Sequence, residues 1–239
     1  MKNVFVSNVL EYTGPGVVEV LSLSGYQVIC HDRSFAEQAK RLAYGKKENV
    51  VAIAGQTPEE ITAEVDSFGL VSRYVFNDAH PNKPKPFEEI DIEELKAAHV
   101  SLVEFPFRLC QLILPKLKQE KTGSVVFVTS ARQQQPEAGF AIATSVRAGA
   151  TALALAVARE TAPYGIQVNA IQPNYLYSEM YYPRAKFIDD PEGREKIASI
   201  VPAGRLGTPE EFGELVEFYI SGRSAFTTGQ IINFTGGWP

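Results

Sequence analysis

With 239 residues, 45% of them hydrophobic, the chain is long enough for one substantial core, and α/β sheets of this size are routinely single domains. A formal net charge of −5, with no basic cluster longer than a few residues, argues against nucleic acid or an anionic membrane as partner. The opening MKNVFVSNV is too short for a signal peptide and no run of about 18 apolar residues follows, so a soluble, cytoplasmic protein is expected.

Strand-like runs alternate with helical patterns along the whole chain. Strands are expected at Asn3–Ser7, Gln27–His31, Val50–Ala54, Arg73–Asn77, Ser124–Thr129, Gln167–Gln172 and Gln230–Phe234. Between them the spacing predicts helices over Gly14–Ser24, Phe35–Tyr44 and Pro58–Phe68, the last with Thr57 as N-cap and Glu60 at the capping-box position. A Pro-rich connection (Pro81, Pro84, Pro86) leads into a long helix over Ile92–Leu117, and a small-residue helix runs from near Ile142 to about Glu160. The stretch from Pro173 to about Pro191, rich in Tyr, Pro and Asp, reads as irregular, and helices near Gly193–Ile200 and Pro209–Ser221 follow. Strict βα alternation gives a Rossmann-like, doubly wound parallel sheet of about seven strands, one domain over 1–239. Cys30 and Cys110 read as buried reduced thiols. His31, His80 and His99 lack metal spacing and read as structural or surface residues, so no metal is expected.

The stretch 124–150 organises the chemistry. Ser130 closes a buried strand, where open α/β sheets place their ligands. Arg147 lies on the next helix with its side chain able to point back toward Ser130, and Ala143 precedes it by about one helical turn, so both share a face. Each has a plainer reading: Ser130 as a strand-end hydroxyl, and Arg147 as a scaffold partner of Asp78.

After the first strand, a dinucleotide fold needs glycines that let backbone approach a pyrophosphate at a helix N-terminus. The stretch here is Ser7-Asn8-Val9-Leu10-Glu11-Tyr12-Thr13-Gly14, in which only Gly14 is a glycine. Asn8 tolerates positive φ, but the Tyr12 ring stands where a cofactor would approach. Asp32 matches a ribose-binding acid about as well as a helix-capping one.

Ser7-x4-Tyr12-x-Gly14 resembles the Thr-x4-Phe/Tyr-x-Gly motif of halohydrin dehalogenases, relatives of the short-chain dehydrogenases that bind halide in place of the nucleotide. The resemblance runs over essentially the whole chain, through Cys30-His31-Asp32, Asn77-Asp78, Val128-Thr129-Ser130, Arg147-Ala148-Gly149-Ala150, Pro173-Asn174-Tyr175-Leu176, Gly204-Arg205-Leu206-Gly207 and Phe234-Thr235-Gly236-Gly237. It implies conversion of a vicinal haloalcohol to an epoxide plus halide, without a cofactor. It also implies Ser130 as the holder of the substrate oxygen, Arg147 as the activating charge and Asp78 as its support. Tyr12, Pro173, Asn174, Tyr175, Leu176 and Tyr177 would form the halide and substrate wall, with backbone N–H groups of 174–176 as the anion nest. The family's base is a Tyr thirteen residues after the Ser, and that position holds Ala143. Of the nearby phenols, Tyr12 and Tyr175 both map to the halide side. An NAD(P)-dependent short-chain reductase and a non-catalytic homologue therefore stay open as alternatives. A homotetramer is implied as well, through the Val100–Leu109 and Ala150–Ala158 helices and the last strand.

Overall fold

A computed structural model, describing residues 2–81 and 83–239, pairs seven short strands into one parallel sheet. The strands are β1 (Lys2–Val6), β2 (Tyr26–Cys30), β3 (Val50–Ala52), β4 (Arg73–Phe76), β5 (Gly123–Val128), β6 (Ile166–Pro173) and β7 (Ile231–Phe234). Their spatial order is β3-β2-β1-β4-β5-β6-β7, so the winding reverses between β1 and β4 and opens a crevice at their carboxyl ends. The helices are α1 (Gly14–Leu23), α2 (Gln38–Tyr44), α3 (Pro58–Asp66), α4 (Ile92–His99), α5 (Phe105–Glu120), α6 (Ala141–Thr161), α7 (Arg184–Phe187), α8 (Pro191–Ile200) and α9 (Pro209–Ile220).

The period of two along each strand divides the core between two faces. Phe5, Ile29, Phe76, Phe127 and Val168 point to the side covered by Ile61 of α3, Leu109 and Ile113 of α5, and Ala154 of α6. Val4, Val6, Val28, Val126 and Ile171 point to the other, against Val17 and Leu21 of α1 and Phe212 and Val216 of α9. Both faces are buried, which is why these strands read as continuous β-branched and aromatic runs.

Element positions agree with the sequence reading to within a few residues, and the capping box at α3 forms: Glu60 N donates to Thr57 Oγ1 at 3.2 Å and Thr57 N to the Glu60 carboxylate at 3.1 Å. Three stretches differ. The helix expected from Phe35 begins as a 3₁₀ turn, Arg33–Ala36, because the Asp32 side chain accepts from Ser34 N and caps it early. The single long helix is α4 and α5 joined by a π-helical turn, Val100–Glu104. Pro106 offers no N–H to the Leu102 carbonyl and its ring crowds that carbonyl, so the preceding turn widens and Phe105 N reaches Val100 O instead. The stretch expected to be irregular carries α7. Ile92–Glu120 and Ala141–Tyr164 are long and apolar enough, by length and composition, to cross a membrane; here each lays part of its surface on the sheet.

Candidate functional site

Arg147 is the fixed point of the site. It is only 6% exposed, and its Nη1 donates to the Val128 carbonyl at 2.9 Å, which ties α6 to the end of β5. Its guanidinium lies 5.4 Å from the centre of the Tyr12 ring, a desolvated cation–π contact. Ser130 caps the 3₁₀ turn Ala131–Gln133, its hydroxyl accepting from Arg132 N at 3.2 Å. Ser130, Ala143 and Arg147 all line one cavity of about 450 Å³, together with Tyr12, Pro173, Asn174, Tyr175 and Leu176.

The first turn is closed by its own bonds. Asn8 and Tyr12 both adopt left-handed backbone, φ 50° and 56°. Asn77, from the end of β4, clamps the turn: its Nδ2 donates to Asn8 O at 2.8 Å and Glu11 O at 3.1 Å, and its Oδ1 accepts from the Thr13 hydroxyl. Asp32 is consumed locally, accepting from the Ser34 amide at 2.9 Å, the Ser34 hydroxyl at 2.7 Å and Leu10 N at 3.3 Å. Of its two sequence readings, the capping one holds. The Tyr12 ring stacks on Arg147 beside this turn, and Asp32, the candidate ribose acid, braces it. The Tyr12 hydroxyl donates to Thr129 O at 3.3 Å, and burial raises its pKa far above the ordinary phenol value despite the Arg147 charge.

The β6 loop supplies the opposite wall, with a different donor set from the one expected. Asn174 N donates to Phe234 O at 3.1 Å and Tyr175 N to its neighbour's Asn174 Oδ1 at 3.0 Å, so two of the three nest amides are engaged. Leu176 N has no protein acceptor among the described residues, and the buried Asn174 Nδ2 has none either. Tyr177 is not part of this wall. Its N donates to Gly207 O at 3.0 Å, which turns the side chain outward into a second cavity, where its hydroxyl meets Glu179 at 2.7 Å.

Asp78 lies outside the cavity lining, with its Oδ2 enclosed and unpartnered. Burial raises its carboxyl to about 7, against the opposing pull of the Ser7 hydroxyl and the Arg147 and Arg33 charges. Asp78 and Arg147 form no direct ion pair among the described residues; the guanidinium acts on the carboxyl through space. The histidines divide three ways. His31 is buried between the Phe5 and Phe105 rings, and His99 is exposed beside Glu104 at 3.1 Å. His80 lines the cavity, which neither a structural nor a surface reading anticipated. Arg132, Glu137 and Tyr181 line it as well and were missed. The only signal for Arg132 was its place two residues beyond Ser130. The described residues hold no cluster of His, Cys, Asp and Glu able to bind a metal.

Residues 13–239 match the family model described as enoyl-(acyl carrier protein) reductase. A tropinone reductase homologue of Arabidopsis thaliana is 32% identical over 161 residues, 67% of this chain and 49% of that protein, so the match spans about half of that relative's length. The 3-oxoacyl-(acyl-carrier-protein) reductase of Vibrio cholerae is 28% identical over 229 residues, 94% of this chain and 91% of that one. Among solved structures, a halohydrin dehalogenase bound to ethyl (2S)-oxiran-2-ylacetate is 33% identical, with TM-score 0.96 over 100% of this chain and 97% of the other. A second, described as a dehalogenation enzyme, is 30% identical with TM-score 0.95, covering 100% and 98%.

Proposed function

The chain belongs to the short-chain dehydrogenase/reductase superfamily, and from that premise we propose that it is a cofactor-independent, halohydrin dehalogenase-type carbon–halogen lyase. Its substrate would be a small vicinal haloalcohol, closed to an epoxide with release of halide. One observation carries this reading: Tyr12, stacked on Arg147, closes the dinucleotide turn yet leaves a cavity between the Ser130–Arg147 wall and the free Leu176 amide. Ser130 holds the substrate oxygen, and the Arg147 charge favours the alkoxide as it forms. The departing halide moves toward Leu176 N and Asn174 Nδ2, two donors that need an acceptor. Alkoxide and leaving group then lie on opposite walls, the in-line arrangement that displacement requires.

Ala143 leaves the family's base position empty, and that favours a second reading, an anion-binding homologue without turnover. Introducing the phenol separates the two. In Ala143→Tyr the ring would enter the cavity one helical turn before Arg147, whose fixed charge draws a phenol of ordinary pKa about 10 toward neutrality. Ring closure of a simple haloalcohol should rise by about 10²-fold or more, and Arg147→Gln added to it should lose most of the gain. A folded Ala143→Tyr that neither binds bromide nor turns over removes the dehalogenase reading. Binding of NADH below millimolar concentration by the unmodified protein would restore the reductase alternative.

A further inference from the structure

We propose that His80 is the general base of this site, removing the proton that a phenol at position 143 would otherwise take. The proposal rests on the haloalcohol reading above and follows from what else lines the cavity. Arg132, Arg147 and Lys196 are cations with no lone pair to offer. Glu137 is ion-paired to Arg132 at 2.9 Å, so its carboxylate is already engaged by that guanidinium. Tyr12, Tyr175 and Tyr182 are phenols that burial holds in their protonated form. Tyr181 spends its hydroxyl on the His80 carbonyl at 3.4 Å. That leaves the His80 imidazole, which carries a free nitrogen lone pair near neutrality.

The surroundings suit it to the task. His80 stands three residues past Asn77, the clamp of the first turn, and the Tyr181 hydroxyl pins the same loop from the β6 side. The charges facing it are guanidiniums, Arg33 from the turn after β2 and Arg147 from α6. Partial burial and these two charges hold the imidazole below its ordinary pKa, so it is neutral at physiological pH. His80 and Ala143 line the same cavity, and Ala143 brings no phenol to it.

In the step, the haloalcohol O–H breaks as its proton passes to the imidazole nitrogen. The oxygen electron pair closes on the neighbouring carbon, and the carbon–halogen bond breaks with its pair to release the halide anion. The imidazolium, destabilised by two neighbouring guanidiniums, then gives its proton to water. No oxidant, reductant or further reactant enters.

His80→Gln tests this, with His80→Phe as a second variant and melting curves to confirm folding of both. Bromide release from bromoethanol is measured from about pH 5 to about pH 9, where imidazole and phenol bases part company, and bromide binding is followed by intrinsic fluorescence. The unmodified protein should turn over at a rate that rises with pH and levels off by about pH 7, the behaviour of a lowered imidazole. Both variants should lose about 10²-fold or more in kcat while still binding bromide. Ala143→Tyr added to His80→Gln should restore turnover, with the rising limb at higher pH than the parent's yet below the ordinary phenol value of about 10. Variants as fast as the parent, with the same limb, would overturn the His80 assignment and leave the dehalogenase reading standing. Bromide binding without turnover by the parent would overturn it too, since the site would then have no base. Absence of both bromide binding and turnover would remove the dehalogenase reading and this proposal together.

Discussion

His31 sits 2% exposed with both ring nitrogens lacking a hydrogen-bond partner, stacked 5.7 Å from Phe105 and 6.4 Å from Phe5. Burial lowers its pKa to about 4, while the Asp32 charge works weakly the other way. In the unfolded chain the imidazole titrates near its ordinary value of about 6.5, so between these pH values the unfolded state binds more protons. Stability from this residue is therefore full above the unfolded value and is lost as pH falls through the window toward 4. His31→Phe should flatten that part of the acid limb in melting temperature against pH, and an unchanged limb would assign it to carboxylates. Tyr12 illustrates a different point at the same scale. Its left-handed φ invites Gly, yet Tyr12→Gly should not create NADH binding, because Asn77 still clamps the turn and Asp32 still braces Leu10. Calorimetry on the variant checks this, and measurable binding would mean that the ring alone excludes the cofactor.

At the scale of elements, α1 and α9 meet through two glycines. A Cβ on Gly16 would lie 2.3 Å from the Pro209 carbonyl oxygen, and one on Gly213 would lie 2.7 Å from Gly16 O. These neighbours are backbone, so they cannot move aside as a flexible side chain would. Gly16→Ala should cost about 1–3 kcal/mol through overpacking, against any gain in helix propensity, and lower the melting temperature by roughly 2–4 °C per kcal/mol. A melting temperature at or above that of the parent would show that α9 can slide away. The π turn at Val100–Glu104 works in the other direction, since Pro106 forces a local widening that the neighbouring helix accommodates: Ala98 and Leu102 pack on Ile142 and Val146 of α6. It shapes the side of the cavity lined by Ala98, Leu102 and Ile142.

For the whole molecule, the outer face of α6 presents Ser145, Gly149, Ala152 and Ala156, exposed and spaced for close approach of another helix. Val100 and Phe107 are exposed beside it on the neighbouring rod, at 48% and 46%. Leu102 and Leu109, read from sequence as part of an interface, are instead buried within the chain. The homotetramer implied by resemblance remains a proposal with a narrower surface than expected, built on small α6 residues and two-fold pairing. Ala152→Arg should reduce the light-scattering mass from about four times the 26.3 kDa chain toward half of that, leaving the fold intact. A parent already at the single-chain mass would remove the assembly from consideration.

The amino-acid sequence by itself determined the βα alternation, the seven strands, the capping box at Thr57 and Glu60, and a first turn without the glycines a dinucleotide needs. These depend on side-chain period, capping and backbone freedom, interactions that reach only a few residues along the chain. It also brought Ser130, Ala143, Arg147, Tyr12 and the 173–176 wall to one crevice, since strand ends in a doubly wound sheet converge by topology. Only the tertiary structure decided what depends on distant partners. Gly207 turns Tyr177 out of the site, Phe234 takes the Asn174 amide, and Asn77 locks a turn 69 residues away in sequence. His31, His80 and His99 share a residue type, yet one is entombed between rings, one lines the cavity and one faces solvent. Burial and neighbouring charge are sums over the folded surroundings, and no window of sequence contains them.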